Sequence, residues 1–415
     1  MAGGKRVLVL AYFFPPIGGA GVQRTLKALK YLPSHGWSAT VVTTASRAYP
    51  ASDPSLAEEI PPGTRVVRAA EPALWRMLVT AALLACRPLR VTRLRPLIAW
   101  PDRQLPWGPF ALLAAYREIR RARPDVIYST APPHTAHIVG WILHRLTGIP
   151  LVADFRDEWS TNPHADDPAL VTRMSRRTER AIASAAARVT VVADWFDIAG
   201  ADPEGVTVIP NGVDEDDFPA GGAPAPRGDG RLRISHVGTL YGDRDCGPVL
   251  AALGRLVAAG RIARDDVELR IVGNDWLEDL DRRVPVRLSK TGYVDHRRAV
   301  EEMREADALL LYVAPTSLAP SGKLFEYLAS ERPILCVTSP ENLAARLVHE
   351  WDAGLWAAPG DGEAIEQAIL ALVERHRAGT LGPAPEVRRR TLEAYSRRAM
   401  AARLAGVLEE AAGRA

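Results

Sequence analysis

The sequence predicts an α/β protein made of two doubly wound parallel-sheet domains. Its 415 residues exceed one ordinary α/β unit and suffice for two, each able to bury its own core. Strand-like and helix-like segments alternate along the chain in two successive series. Between the series, Pro219 to Gly230 is rich in Pro, Gly and Ala, as a linker would be.

The first series opens with Arg6–Ala11, a continuous apolar run of the kind found in sheets buried on both faces. Helical spacing follows over Gly21–Leu32, and Ser38–Thr43 reads as the next strand. Asp125–Tyr128, Pro150–Ala153, Val189–Val192 and Val206–Ile209 continue the strands, with helices over His134–Leu146 and Ala169–Ala186. In the second series the strands are Leu232–Val237, Val267–Val272, Ala308–Tyr312 and Ile334–Val337. Helices are expected over Pro248–Ala258, Ala299–Glu305, Lys323–Ala329 and Glu363–Arg375, then over Val387–Leu408. The expected domains are 1–212 and 213–390, with a C-terminal helix in 391–415 packing back on the first. No repeat of 20–50 residues is visible.

Composition narrows the function classes. Apolar content of 47% and charged content of 24% are those of a soluble globular chain and exclude bulk disorder. A formal net charge of +3 argues against a dedicated nucleic-acid binder. Cys86, Cys246 and Cys336 are scattered, with no spacing for zinc, redox chemistry or a disulfide framework. A strand begins within a few residues of Met1, which leaves no secretory signal, and the longest apolar run, 78–86, is too short to span a bilayer. A cytoplasmic, reducing compartment is expected.

The densest chemistry lies at Ser321-Gly322-Lys323-Leu324-Phe325-Glu326, where a small Ser-Gly pair opens a helix. Unpaired N–H groups and the positive dipole end can take a phosphate there, with Lys323 as a point charge. Glu326, one turn on, could accept hydrogen bonds from a ribose diol; a surface helix with solvated Lys and Glu is the plain alternative. The loop after the first strand carries Gly18 and Gly19, which let backbone approach a phosphate or sugar closely, or serve only the turn. Neither a Gly-Lys-Ser/Thr phosphate loop nor a complete dinucleotide fingerprint is present, so an ATPase or an NAD-dependent dehydrogenase is disfavoured.

Gly238 opens the matching loop of the second domain, where Arg244 is a candidate diphosphate clamp. Asp243 and Asp245 orient Arg244 in this reading rather than bind a metal. Asn274 follows another strand and serves either as a nucleotide contact or as a helix cap. In the first domain, His134, Arg156 and Asp157 follow strands and are candidates for acceptor contacts or proton handling. Asp154 and Asp157 could instead pair with Arg156 in a structural network. Between Leu74 and Arg103, six arginines are interleaved with Leu, Val, Ile and Trp against one acid, Asp102. Such a segment suits an anionic membrane surface, and equally a helical insertion packed on its own domain.

Taken together, the chain resembles a glycosyltransferase of family 4. The resemblance rests on Phe14-Pro15-Pro16-Ile17-Gly18-Gly19-Ala20-Gly21-Val22-Gln23-Arg24, Asp154–Trp159, Ile209–Asp214, His236–Asp245, Thr291–Val294 and Ser321–Tyr327, in that order. It implies the GT-B fold, with two Rossmann-like domains facing a central crevice, the donor mainly on the second and the acceptor on the first. It also implies sugar transfer from a nucleoside diphosphate donor with retention, without a metal or other cofactor. Glu326 then resembles the ribose-binding glutamate, and Gly18 and Gly19 the loop over the donor phosphates. Arg244 stands where a phosphate-binding Lys is usual. Three positions depart from the pattern: Leu318 for a second Glu, Thr239 for an Arg, and Thr130 for a His, with His134 as the substitute candidate. The expected acceptor is a lipid-linked glycan intermediate at the inner face of the plasma membrane. A small natural-product aglycone and a non-catalytic nucleotide-sugar binder are the alternatives.

Overall fold

The computed structural model describes residues 4–45, 52–86, 95–162, 167–219, 230–240, 246–277, 279–313, 322–382 and 384–413. They divide into two compact units, Met1–Pro210 with Arg397–Ala415, and Asn211–Ser396.

In the first unit the chain runs through β1 (Lys5–Leu10), α1 (Ala20–Tyr31), β2 (Trp37–Thr44), β3 (Arg65–Ala69), α2 (Ala73–Ala85), α3 (Arg95–Ile98) and α4 (Gly108–Arg121). It continues through β4 (Val126–Ala131), α5 (Thr135–Thr147), β5 (Leu151–Phe155), α6 (Ala169–Ala185), β6 (Arg188–Val191) and β7 (Val206–Val208). The strands form one sheet in the order β3-β2-β1-β4-β5-β6-β7, and every pairing is parallel. All residues of β4 and β5 are buried, as expected for strands covered on both faces. Strand order reverses between β1 and β4, so the connections leaving them diverge to opposite faces. Open α/β sheets bind ligands at such a point, at the carboxyl ends of the strands.

The second unit contains β8 (Leu232–Val237), α7 (Gly247–Ala258), β9 (Val267–Val272), α8 (Leu280–Arg283), β10 (Arg287–Lys290), α9 (His296–Glu305) and β11 (Ala308–Tyr312). Then come α10 (Gly322–Ala329), β12 (Ile334–Val337), α11 (Leu343–Glu350), β13 (Gly354–Ala357), α12 (Gly362–Arg377) and α13 (Pro385–Tyr395). Its parallel sheet has the order β10-β9-β8-β11-β12-β13, with the reversal between β8 and β11. Side chains of β11 alternate between two cores: Leu310 joins Leu253 and Ile369 on one face, Leu309 and Leu311 join Leu324 and Phe325 on the other.

One helix was expected over 387–408; the structure has two. Ser396 is extended, with φ −70° and ψ 142°, and this breaks the run between α13 and α14 (Arg397–Ala412). α13 stays with the second unit, where Tyr395 lies 4.5 Å from the Phe325 ring and Arg388 Nη2 donates to the Phe218 carbonyl at 2.6 Å. α14 belongs to the first unit and packs on α1: the Arg398 guanidinium sits 4.7 Å from the Tyr31 ring centre, and Arg188 pairs with Glu410 at 2.6 Å. Boundaries drawn from sequence at 212/213 and 390/391 thus fall at 210/211 and 396/397.

α2 is unusual for a surface helix. Leu74 is 69% exposed, Met77 65% and Leu84 61%, with Trp75 and Leu78 also exposed. Among the described residues, no helix is long and apolar enough to cross a membrane.

Candidate active site

At the switch point of the second sheet, β8 stays paired with β9 as far as Val237, but with β11 only at Ile234 and Ser235. The gap beyond Ser235 is filled by side chains. His236 is buried, with Nδ1 3.2 Å from the Leu310 carbonyl on β11. The Val237 N–H, beyond the last residue that β8 pairs with β11, donates to the Tyr327 hydroxyl of α10 at 2.8 Å. Burial is the main cause that raises the Tyr327 pKa, so the phenol remains neutral.

Two glycines make the space above this end of the sheet. Gly238 has φ 138°, and a Cβ there would meet Lys323 Nζ at 1.8 Å. Gly273 has φ 127°, and its Cβ would lie 2.7 Å from the Gly238 carbonyl oxygen. Both positions need glycine for conformation and for close approach. Lys323, in the first turn of α10, brings its ammonium over Gly238 and to 3.5 Å from His236 Nε2. Glu326, half-buried, is on the same helix face three residues on. Leu324 is fully buried in the core and has only its backbone to offer a ligand. Gly322 opens the helix and no atom would crowd a Cβ there. Thus Gly238, Gly322, Lys323 and Glu326 gather around one helix N-terminus, which suits an anionic group.

Asn274 lies in the adjacent loop, and its carbonyl accepts from the Leu240 N–H at 3.0 Å. Its role as a helix cap is not seen: the next helix, α8, starts at Leu280 behind Asp279. Arg244 and Ser321 lie outside the described residues, as do Asp243, Asp245 and Leu318.

At the switch point of the first sheet, Gly18 is buried and Gly19, with φ 97°, sits at the N-cap of α1. Arg156 is directed into this loop. Its Nη1 donates to the Gly21 carbonyl at 2.5 Å, Nη2 to Pro132 at 2.8 Å and Nε to Ala131 at 3.0 Å. One guanidinium thereby ties the first turn of α1, just after the glycine loop, to the Pro132-Pro133 turn and the end of β4. Against the effect of burial, both neighbouring acids, Asp154 and Asp157, favour its charged form, but the hydrogen bonds of Asp154 go to other groups. Asp154 accepts from Arg24 Nε and Nη2, from Thr130 Oγ1 at 2.8 Å and from Thr190 Oγ1 at 2.7 Å. Burial alone would raise the Asp154 pKa; the Arg24 charge and these hydrogen bonds overcome it and hold the carboxylate ionised. Thr130, standing where a His was considered, is therefore a buried donor to Asp154. Asp157 is exposed and favours the charged form of Arg156.

His134 is half-buried and stacks on Trp159, with ring centres 4.4 Å apart and planes 3° from parallel. Burial first, and then the charges of His137 and Arg156, lower its pKa to about 3, so its ring is neutral near pH 7. His137 is neutral for the same leading reason, with its pKa also lowered to about 3 and Nδ1 2.8 Å from Ser129 Oγ. Asp102, in the sequence only the one acid among six arginines, has a role that sequence reasoning missed. It caps α5 from outside the helix, accepting from the Thr135 N–H at 2.8 Å and Thr135 Oγ1 at 2.7 Å. No local pattern signals this, because cap and helix are 33 residues apart.

Comparisons with known proteins agree with this architecture. The family model described as Glycosyltransferase Family 4 matches residues 17–217, and that for glycosyl transferases group 1 matches 231–375. No curated protein matches the chain in sequence. Among solved structures, an α,α-trehalose-phosphate synthase (UDP-forming) from Burkholderia xenovorans is similar with TM-score 0.65 at 13% identity, over 98% of this chain and 100% of that one. The glycosyltransferase of kitacinnamycin is similar with TM-score 0.56 at 14% identity, over 98% and 99%. The lipopolysaccharide outer core galactosyltransferase WaaB is similar with TM-score 0.53 at 12% identity, over 98% and 99%. Two Rossmann-like parallel-sheet domains of this kind define the GT-B class of glycosyltransferases. Within that class, the chain belongs to the family 4 type.

Proposed function

We propose that the protein transfers a hexose-like sugar from a nucleoside diphosphate donor to a hydroxyl acceptor, with retention of configuration. The observation that carries this reading is the Lys323 ammonium poised over Gly238 at the start of α10, with Glu326 one turn beyond. In this reading Gly238, Lys323 and the backbone of Gly322 and Leu324 receive the diphosphate, and Glu326 accepts from the ribose hydroxyls. Asn274, Ser321 and Arg244 complete the donor set. Charge developing on the leaving diphosphate is stabilised by Lys323, Arg244 and the helix amides. A donor phosphate oxygen accepts the acceptor's proton, which agrees with the low basicity of His134. The reading calls for no metal or other cofactor.

On the first unit, Gly18 and Gly19 would lie along the donor, and His134 and Asp157 would contact the acceptor. Arg156 would shape that surface through its three carbonyl contacts. The exposed apolar face of α2 and the arginines at 76, 87, 90, 93, 95 and 103 favour a lipid-linked acceptor. We therefore assign the protein to cell-surface glycan or glycolipid assembly, in the cytoplasm and peripheral on the inner membrane face. The lipopolysaccharide enzyme among its structural neighbours supports this assignment. The kitacinnamycin enzyme supports the alternative of a small natural-product aglycone.

The test is thermal unfolding with UDP, GDP, ADP or dTDP, for the wild type and Glu326→Ala. At 100 times its dissociation constant a ligand adds about 2.7 kcal/mol of stability. Stabilisation by one nucleotide, much reduced in the variant, is expected; no shift with any of the four refutes the donor site. Turnover of the matching nucleotide-sugar then separates an enzyme from a non-catalytic binder.

A further inference from the structure

We propose that His236 is a positioning residue for Lys323, holding its ammonium in place for the diphosphate; this rests on the donor-site reading above. The hydrogen-bonding roles follow from the partners. The Leu310 carbonyl, 3.2 Å from Nδ1, can only accept, so Nδ1 carries the proton. In the neutral ring Nε2 is then an acceptor, and it faces the Lys323 ammonium at 3.5 Å, which can only donate.

Both ends of this chain of contacts are fixed. His236 is buried where β8 and β11 part, and Tyr327, one turn beyond Lys323, receives the Val237 N–H at 2.8 Å. The root of the lysine is thus held by α10 and its tip by His236. A lysine stem otherwise loses considerable rotamer freedom when its ammonium is fixed on a ligand. The contact at 1.8 Å that a Cβ at Gly238 would make shows how closely the ammonium lies on the backbone. The ammonium is therefore in place before the diphosphate arrives, which is pre-organisation of a charge.

Affinities for UDP, GDP, ADP and dTDP, and for the corresponding nucleosides, test the assignment by calorimetry. Two polar substitutions separate the two ring nitrogens. His236→Asn reaches Leu310 but not Lys323, whereas His236→Gln extends an amide oxygen towards Lys323. Loss of one hydrogen bond to a charged group corresponds to about a tenfold weakening, expected for the diphosphate with His236→Asn and largely restored with His236→Gln. Nucleoside affinity is expected to stay constant, and His236→Asn to add nothing in a Lys323→Ala background. Equal loss for nucleoside and diphosphate, or the same loss with and without Lys323, overturns the positioning role and marks a merely structural one. Wild-type affinity in His236→Asn overturns it as well, while the donor site stands. If the wild type binds none of the four nucleotides, the donor-site reading falls and takes this assignment with it.

Discussion

Arg24 holds Asp154 through two nitrogens, Nε at 3.1 Å and Nη2 at 2.8 Å, and both side chains are buried beneath the first sheet's switch point. A third nitrogen, Nη1, donates to the Pro210 carbonyl at 3.0 Å, where the chain leaves the first unit. Breaking such a pair strands one buried charge. Asp154→Asn is therefore expected to lower stability by about 3–5 kcal/mol, as read by urea unfolding. Arg24→Met combined with Asp154→Leu should recover part of that loss, because neither charge then remains.

Gly238 and Gly273 should respond differently to alanine. At Gly238 the new methyl meets only the far end of the Lys323 side chain, which can be pushed off His236, so stability should fall by about 1–3 kcal/mol, mainly from the positive φ. Nucleotide affinity should fall further, because the ammonium is displaced. At Gly273 the methyl meets the Gly238 backbone, which cannot swing aside, so Gly273→Ala should unfold at the lower temperature. Calorimetric unfolding of the two variants, with nucleotide titrations, makes the comparison.

Glu179 should give stability a pH dependence opposite to that of ordinary carboxylates. Its side chain is wholly buried, and burial raises its pKa to about 7 from 4.5, although Ser160 donates to it. The folded state therefore binds a proton more tightly than the unfolded one. That contribution is fully present below about pH 4.5 and is lost as pH rises through about 7. Glu179→Gln should remove the slope and stabilise the protein at pH 8 by on the order of 2–3 kcal/mol. Urea midpoints from pH 4 to 8 measure it; an unchanged slope refutes the assignment.

His134 offers a direct view of proton handling. With its pKa lowered to about 3 the ring is a weak base. His134→Phe keeps the stack on Trp159 and should reduce kcat/KM by less than about tenfold, whereas loss of a true general base costs about 10²–10⁴. Steady-state kinetics with a turned-over donor decides between them.

The exposed face of α2 should carry membrane binding. Leu74→Glu with Met77→Glu should abolish sedimentation with phosphatidylglycerol vesicles. Both side chains are largely in solvent, so unfolding should shift by less than about 0.5 kcal/mol. Equal binding by wild type and variant would refute the role of this helix.

The interior strands were legible from sequence because they are apolar throughout; β4 and β5 are the clearest cases. Three strands gave no such signal: β3, β10 and β13 lie at sheet edges, are short and are only partly buried. α4 and α11 also escaped, although their buried residues recur at helical spacing: Ala111, Ala115 and Ile119 in α4, Ala344, Leu347 and Val348 in α11. In the site, glycines following strands pointed to Gly19 and Gly238 without a fold. Partnerships across the fold were out of reach. Sequence proximity groups Asp154 with Arg156, yet the arginine hydrogen-bonded to Asp154 is Arg24, 130 residues away. Likewise His236 and Lys323 are 87 residues apart, and only the parting of β8 from β11 brings them together.

The return of α14 has a consequence for synthesis. The second unit has all its residues by Ser396, while the first still lacks the helix that covers α1. The unit whose translation starts earlier is thus the later to be completed, and Ala28 and Tyr31 must await Arg398, Met400 and Leu404, made about 370 residues afterwards. A nascent chain halted just after Ser396 would hold one finished domain and one with an open flank, a natural place for a chaperone to bind.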